Sequence, residues 1–230
     1  RVTLHDGNAC FNLNSLMQET EDAGRSANPF AQMEFARLLR GLQPAPAAPE
    51  ALAAALTDYL DPDRSPLPGG AEGFGQTPLA NVAMGDVSEL LATPGFTPAI
   101  AAQLAPQVCV RDEAQMLALN INALRPDHAP LLAAAVGEGL SLSQARSLIM
   151  ARPIGGWADV TAFLADPRLA GVEPSDSLIA RFTTRSRYVI VAARVVYQDT
   201  EEASAALIEL GPPSRVVRRV FGAQVSERSV

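Results

Sequence analysis

The chain predicts an α+β fold, with a helical body inserted between an early extended segment and a late antiparallel sheet. Three observations carry this reading. Residues 188–197 are dominated by β-branched and aromatic side chains, which pack well on a pleated surface. The middle of the chain is rich in Ala and Leu, with apolar residues at helical intervals such as Leu52, Leu56 and Leu60. A six-residue phrase occurs twice, as Phe11-Asn12-Leu13-Asn14-Ser15-Leu16 and as Leu119-Asn120-Ile121-Asn122-Ala123-Leu124. Each copy alternates apolar and Asn residues for four positions, reading as a short strand that runs into a helical stretch.

Residues 1–13 read as one extended segment, with Val2 and Leu4 alternating before the turn residues Asp6-Gly7-Asn8. Asn14 is placed to cap the first helix through its side-chain oxygen. Pro29 opens a helix with the apolar face Phe30, Met33, Leu38 and Leu39, and Gly41 stops it. Three prolines in 43–49 make a stiff connector to a strong helix over 51–60. Short helices at 86–91 and 99–104 flank Pro94-Gly95 as a helical hairpin. Beyond the second phrase, Pro126 opens a helix reaching Gly137, and Ser141 or Ser143 caps another that ends before Pro153. Gly155-Gly156-Trp157 leads into a short helix ending near Leu164, with Trp157 as a core anchor. Strands follow at 188–197, 203–210 and 215–221, with a polar turn at 198–201, and the N-terminal segment joins this meander.

With 48% hydrophobic and 19% charged residues over 230 positions, this is a folded globular chain able to bury a core. No apolar run reaches the roughly 18 residues that a membrane helix needs. The chain begins at Arg1, and is expected to be a mature or trimmed part of something longer. All 18 basic residues are arginine, which excludes a P-loop lysine, a Schiff-base lysine and a lysine general base. His5 and His128 are the only histidines, too few for a multi-His zinc site, and both read as exposed loop residues. There is no G-x-S-x-G and no C-x-x-C, so the chain is read as a non-enzyme with no catalytic residue to name. Residues 1–176 hold 20 acidic and 10 basic side chains, net −10; residues 177–230 hold 5 and 8, net +3, giving the total of −7. A large acidic part is a poor partner for nucleic acid.

The sharpest chemical signal is the loop Asp61-Pro62-Asp63-Arg64-Ser65-Pro66-Leu67-Pro68-Gly69-Gly70-Ala71-Glu72. Counting from Asp61, oxygen-bearing side chains fall at positions 1, 3 and 5 and a glutamate at position 12, the ligand spacing of an EF-hand-type calcium loop. Leu67 is the candidate carbonyl donor. Pro66 stands where an EF-hand has its glycine, so this loop would have to curl differently. Cys10 and Cys109 are the only cysteines and lie near the two phrase copies; we expect them to form a disulfide. The Pro94-Gly95-Phe96 hairpin gives an alternative reading as a helix-hairpin-helix DNA-binding module. No arginine occurs between Arg64 and Arg111 to hold phosphates there.

Several of these pieces occur together in one order. They are Asp6…Cys10-Phe11-Asn12-Leu13-Asn14, the Asp61-x-Asp63…Gly69-Gly70-Ala71-Glu72 loop, Val87-Ser88-Glu89-Leu90-Leu91…Gly95, the second phrase, and Arg185-Ser186-Arg187-Tyr188 ahead of the strands. This combination resembles the K-type minor pseudopilins of the bacterial type II secretion system, over nearly the whole chain. The resemblance implies a pilin-like antiparallel sheet domain (1–13 and 177–230) interrupted by a large helical insertion of two small helix-hairpin-helix or SAM-like lobes (14–118 and 119–176). It implies a periplasmic domain, anchored in the inner membrane by an N-terminal helix preceding this chain. It also implies assembly at the pseudopilus tip with the I-type and J-type minor pseudopilins, the H-type subunit and secreted substrates being further candidates. Calcium binding is implied in the loop, on Asp61, Asp63 and Glu72 here. Gly73-Phe74-Gly75 departs from relatives with more acidic and aromatic residues after that glutamate, which narrows the ligand set.

Overall fold

The computed structural model describes residues 1–20, 24–74, 77–198 and 200–222. It begins with β1 (Val2–Asp6), after which the chain turns at Asp6, whose Oδ1 accepts the Asn8 N–H at 2.7 Å. β2 (Phe11–Asn12) then takes the first phrase into the interior. Contrary to the expectation of a helix, Leu13–Leu16 makes a single 3-10 turn, and β3 (Met17–Thr20) and β4 (Gly24–Ala27) form a hairpin. Asn12, not Asn14, caps that turn, accepting the Asn14 N–H at 3.3 Å. The Asn14 side chain is committed elsewhere, to backbone groups far along the chain.

α1 (Pro29–Arg40) starts under Asn28, whose Oδ1 accepts the N–H groups of Phe30 and Ala31. α2 (Pro49–Leu60) follows the proline connector and is buried along most of its length. A small hairpin, β5 (Gly73–Phe74) and β6 (Thr77–Pro78), comes after the acidic loop; Gly75 of the run noted above lies outside the described residues. Asp86 and Glu89 form a capping box for the 3-10 turn Val87–Ala92, and Thr97 caps α3 (Pro98–Leu104). Between them Gly95 has φ +84°, and a Cβ there would come within 2.7 Å of Leu52 Cδ2, so this turn requires glycine. β7 (Val108–Cys109) returns to pair in parallel with β2.

The second half opens with β8 (Leu119–Asn120) and a 3-10 turn at Pro126–His128. That turn buries His128, against the expectation of an exposed loop residue; the Arg125 N–H donates to its Nδ1 at 3.2 Å. α4 (Ala129–Val136), α5 (Leu142–Met150), α6 (Val160–Leu164) and α7 (Asp176–Ala180) follow, with Ser141 rather than Ser143 capping α5. β9 (Phe182–Thr183) pairs in parallel with β8. The chain ends in β10 (Tyr188–Tyr197), β11 (Thr200–Glu209) and β12 (Arg215–Phe221). The polar turn expected at 198–201 includes residue 199, outside the described residues.

β1, β10, β11 and β12 form one antiparallel sheet in that order, so both ends of the chain build it and residues between 7 and 187 are inserted. Strand alternation turns Tyr188, Ile190, Ala205 and Leu207 inward, where they form a small core with Leu117 and the two cysteines. A larger apolar core runs through the insertion from Phe11 and Phe35 to Leu148 and Phe163. Phe11 and Phe35 stack at 5.3 Å between ring centres, while Phe163 meets Trp157 edge-on at 5.8 Å and Phe182 at 5.2 Å. Trp157 is thus a half-buried anchor of this core.

Candidate metal centre

Three carboxylates converge where α2 ends. Asp58 sits on its last turn, Asp61 is its C-terminal cap residue, and Glu72 returns from the far side of the loop. One oxygen from each lies within 4.8 Å of the others. Asp58 Oδ2, Asp61 Oδ1 and Glu72 Oε1 are buried without a hydrogen-bond partner. Buried carboxylate oxygens are costly when unpaired, and the carboxyl end of a helix carries partial negative charge that makes them costlier. Among the described residues none of the three has an arginine within ion-pair distance. A hard cation takes several oxygens at once, and this donor set has the chemistry to suit one.

Titration behaviour follows from the same crowding. Burial, then the neighbouring Asp63, Glu72 and Asp58 charges, push the Asp61 carboxyl up to about 6. Burial likewise raises Asp58, although the Leu67 N–H, donating to its Oδ1 at 3.0 Å, pulls the other way. Burial and the Asp58 charge raise Glu72. Gly70 lets the loop close over the site, since a Cβ there would lie only 1.9 Å from Asp58 Oδ2.

Of the residues singled out by spacing, the structure brings Asp61 and Glu72 together and adds Asp58. Asp63 stands beside the cluster; its Oδ1 accepts the Ser65 N–H at 2.7 Å in a local turn, and its carbonyl accepts from Asn81 Nδ2. Ser65 gives its backbone N–H to that turn, and the Leu67 carbonyl accepts the Gly70 N–H at 2.8 Å. Asp58 had one readable signal: an acid in the last turn of a helix is electrostatically misplaced unless something neutralises it.

The first Asn phrase is the other element that shapes this region. Asn14, fully buried, donates from Nδ2 to the carbonyls of Met84 and Arg111 and accepts the Met84 N–H on Oδ1, at 2.8–2.9 Å. It thereby pins the strand of chain that leads out of the acidic loop. Cys10 and Cys109 are bonded, with Cα atoms 5.7 Å apart, holding β7 beside β2.

A sheet built from both ends of the chain and interrupted by a long helical insertion, with a disulfide and an acidic loop, defines the class of α+β domain to which this chain belongs. Comparison with known proteins makes this specific. The family described as "Type II secretion system (T2SS), protein K" matches twice, over residues 9–113 and 119–185. A type II secretion system protein K from Klebsiella pneumoniae is 37% identical, covering 96% of this chain and 69% of that relative. A Dickeya chrysanthemi protein of the same name is 32% identical over 84% of this chain, which spans 55% of that relative's length. Among solved structures, the GspK–GspI–GspJ complex from enterotoxigenic Escherichia coli contains a chain that superposes with a TM-score of 0.80 at 30% identity, covering 96% of this chain and 79% of that one. The chain belongs to the type II secretion system protein K family and is a minor pseudopilin. None of these matches supports the DNA-binding alternative.

Proposed function

We propose that this chain is the periplasmic part of a subunit that caps the pseudopilus tip together with I-type and J-type minor pseudopilins, and so supports protein export across the outer membrane. The observation that carries the reading is the likeness, over nearly the whole chain, to a chain of the solved GspK–GspI–GspJ complex. The size of the insertion also favours a terminal place, because a body this large is hard to accommodate along the side of a fibre. No described helix is long and apolar enough to cross a membrane; an anchor in the inner membrane would come from a helix before residue 1. The role is assembly without catalysis. The H-type subunit and secreted substrates are further partners of this reading. The two family matches leave a gap between residues 113 and 119, which supports treating 14–118 and 119–176 as two lobes of the insertion.

Within that role the loop holds calcium, with Asp58, Asp61 and Glu72 as its carboxylate ligands and Asp63 as added charge or an outer ligand. The three orphaned oxygens support this. Bound there, the cation supplies the charge that ties the end of α2 to the returning loop. Elemental analysis of the purified domain under calcium supply, repeated on Asp61→Asn, tests it: calcium in the wild type and its loss in the variant are expected. No calcium in the wild type removes the claim. For the assembly role, an in-frame deletion in the host should leave exported proteins in the periplasm, with rescue by the reintroduced gene. Normal export without it would overturn the reading.

A further inference from the structure

A cavity of about 310 Å³ lies where the sheet, the disulfide and both halves of the insertion meet. Leu4, Val108 and Ile190 give it apolar wall, while His5, Arg111, Arg125 and His128 give it a polar one. Arg111 decides its chemistry. The residue is only 3% exposed. Its Nη1 donates to the Val110 carbonyl at 2.9 Å and its Nη2 to the Gly7 carbonyl at 3.2 Å, but its Nε has no partner among the described residues. The Tyr188 ring covers the guanidinium at 5.5 Å. Desolvation is severe enough to bring its pKa down to about 10.

What Arg111 lacks is a carboxylate in direct contact; the Asp112 charge acts on it only from a distance. Among the described residues no carboxylate comes within ion-pair distance of it, whereas Arg125 has Asp127 at 3.2 Å. Asp6, the one carboxylate in the cavity wall, is consumed by other donors: the Asn8 N–H, Asn120 Nδ2 and the Ser186 hydroxyl. A buried guanidinium without an anion is expensive, and its planar fork suits a carboxylate better than any other simple group. The cavity is at the small end of ligand pockets, about 300–1,000 Å³, and is apolar on one side.

We propose that this cavity binds a small carboxylate with a short apolar body, the carboxylate meeting Arg111 and the body lying against Leu4, Val108 and Ile190. A free short-chain acid and an acidic side chain of a partner share this chemistry. Either one would bridge the sheet to the insertion. The site does not depend on the assembly reading above.

The test uses the ¹⁵N-labelled chain titrated with hexanoate and, separately, with hexanamide, following the arginine Nε–H resonances. Hexanoate should move one resonance that hexanamide leaves in place, and that resonance should be the one missing from Arg111→Gln. Affinity should fall about tenfold to a hundredfold in that variant, as expected for one charge-assisted hydrogen bond. Ala105→Phe keeps the arginine but fills the cavity, and should also abolish the response, which covers the case where Arg111→Gln does not fold. Equal responses to hexanoate and hexanamide, or an unchanged response in Ala105→Phe, would overturn the site. Competition between hexanoate and added I-type and J-type domains would assign the natural carboxylate to a partner; assembly indifferent to hexanoate would assign it to a free acid.

Discussion

The two Asn phrases are the same device used at two depths. In each, the first Asn accepts the N–H of the second, Asn12 from Asn14 at 3.3 Å and Asn120 from Asn122 at 3.0 Å. In each, the second Asn grips both backbone groups of one distant residue: Met84 for Asn14, Trp157 for Asn122. Each phrase also opens a two-residue parallel bridge, with the Phe11 N–H donating to the Gln107 carbonyl and the Leu119 N–H to the Arg181 carbonyl. The surroundings differ. The first bridge is closed by the Cys10–Cys109 disulfide. The second is held by Arg181, which pairs in the interior with Glu34 at 2.5 Å and donates to the Leu117 carbonyl. One local pattern thus serves as a covalently locked, fully buried pin in one half and as a partly buried, electrostatically held one in the other.

The comparison can be broken first at the disulfide. Cys10→Ser with Cys109→Ser frees a sequence separation of 99 residues, and in the loop-entropy account should cost about 4–5 kcal/mol in denaturant unfolding. A loss well under that would mean the noncovalent bridge suffices, as in the second copy. Next comes depth. Asn14→Ala strands three buried backbone groups and should cost about 3 kcal/mol, whereas Asn122→Ala, at a partly buried position, should cost about 1 kcal/mol. Equal costs would show that burial does not distinguish the copies.

On the proposed reading of the loop as a calcium site, removing the ion should separate the copies by dynamics. Chelation is expected to speed hydrogen exchange at the Met84 amide, which follows the acidic loop, and to leave the Trp157 amide unchanged. Parallel change at both would deny the loop its local role. The last effect is in pH. In the ion-free protein Asp61 holds its proton more tightly folded, at about 6, than unfolded, at about 4, so its contribution to stability is present at low pH and is lost as pH rises between those values. The melting temperature of the wild type should therefore drop relative to Asp61→Asn between about pH 4 and about pH 7 in chelator, and a difference that stays flat would contradict the raised pKa.

Much of this architecture was legible because its signals are local. The β-branched run at 188–197 and the Arg215–Phe221 strand are read to the residue, and a proline start with a glycine stop marks α1, whereas α2 begins two residues before the expected start and Pro126 opens a 3-10 turn ahead of α4 instead of the helix itself. What escaped is what depends on partners far along the chain. Asn14 has the look of a helix cap, yet its partners lie 70 and 97 residues away, so nothing nearby announced the 3-10 turn and hairpin that replace the helix. His128 is buried by packing that no local pattern encodes. At the candidate metal centre, Asp61 and Glu72 stood out by spacing, but Asp58 was hidden inside an ordinary-looking helix, and Asp63 is drawn into a local turn.

The most direct test of the account is native mass spectrometry of this chain mixed with the soluble I-type and J-type minor pseudopilin domains of the same organism. The account predicts a ternary species containing one copy of each. A spectrum showing this chain alone, beside partners that have paired without it, would contradict it.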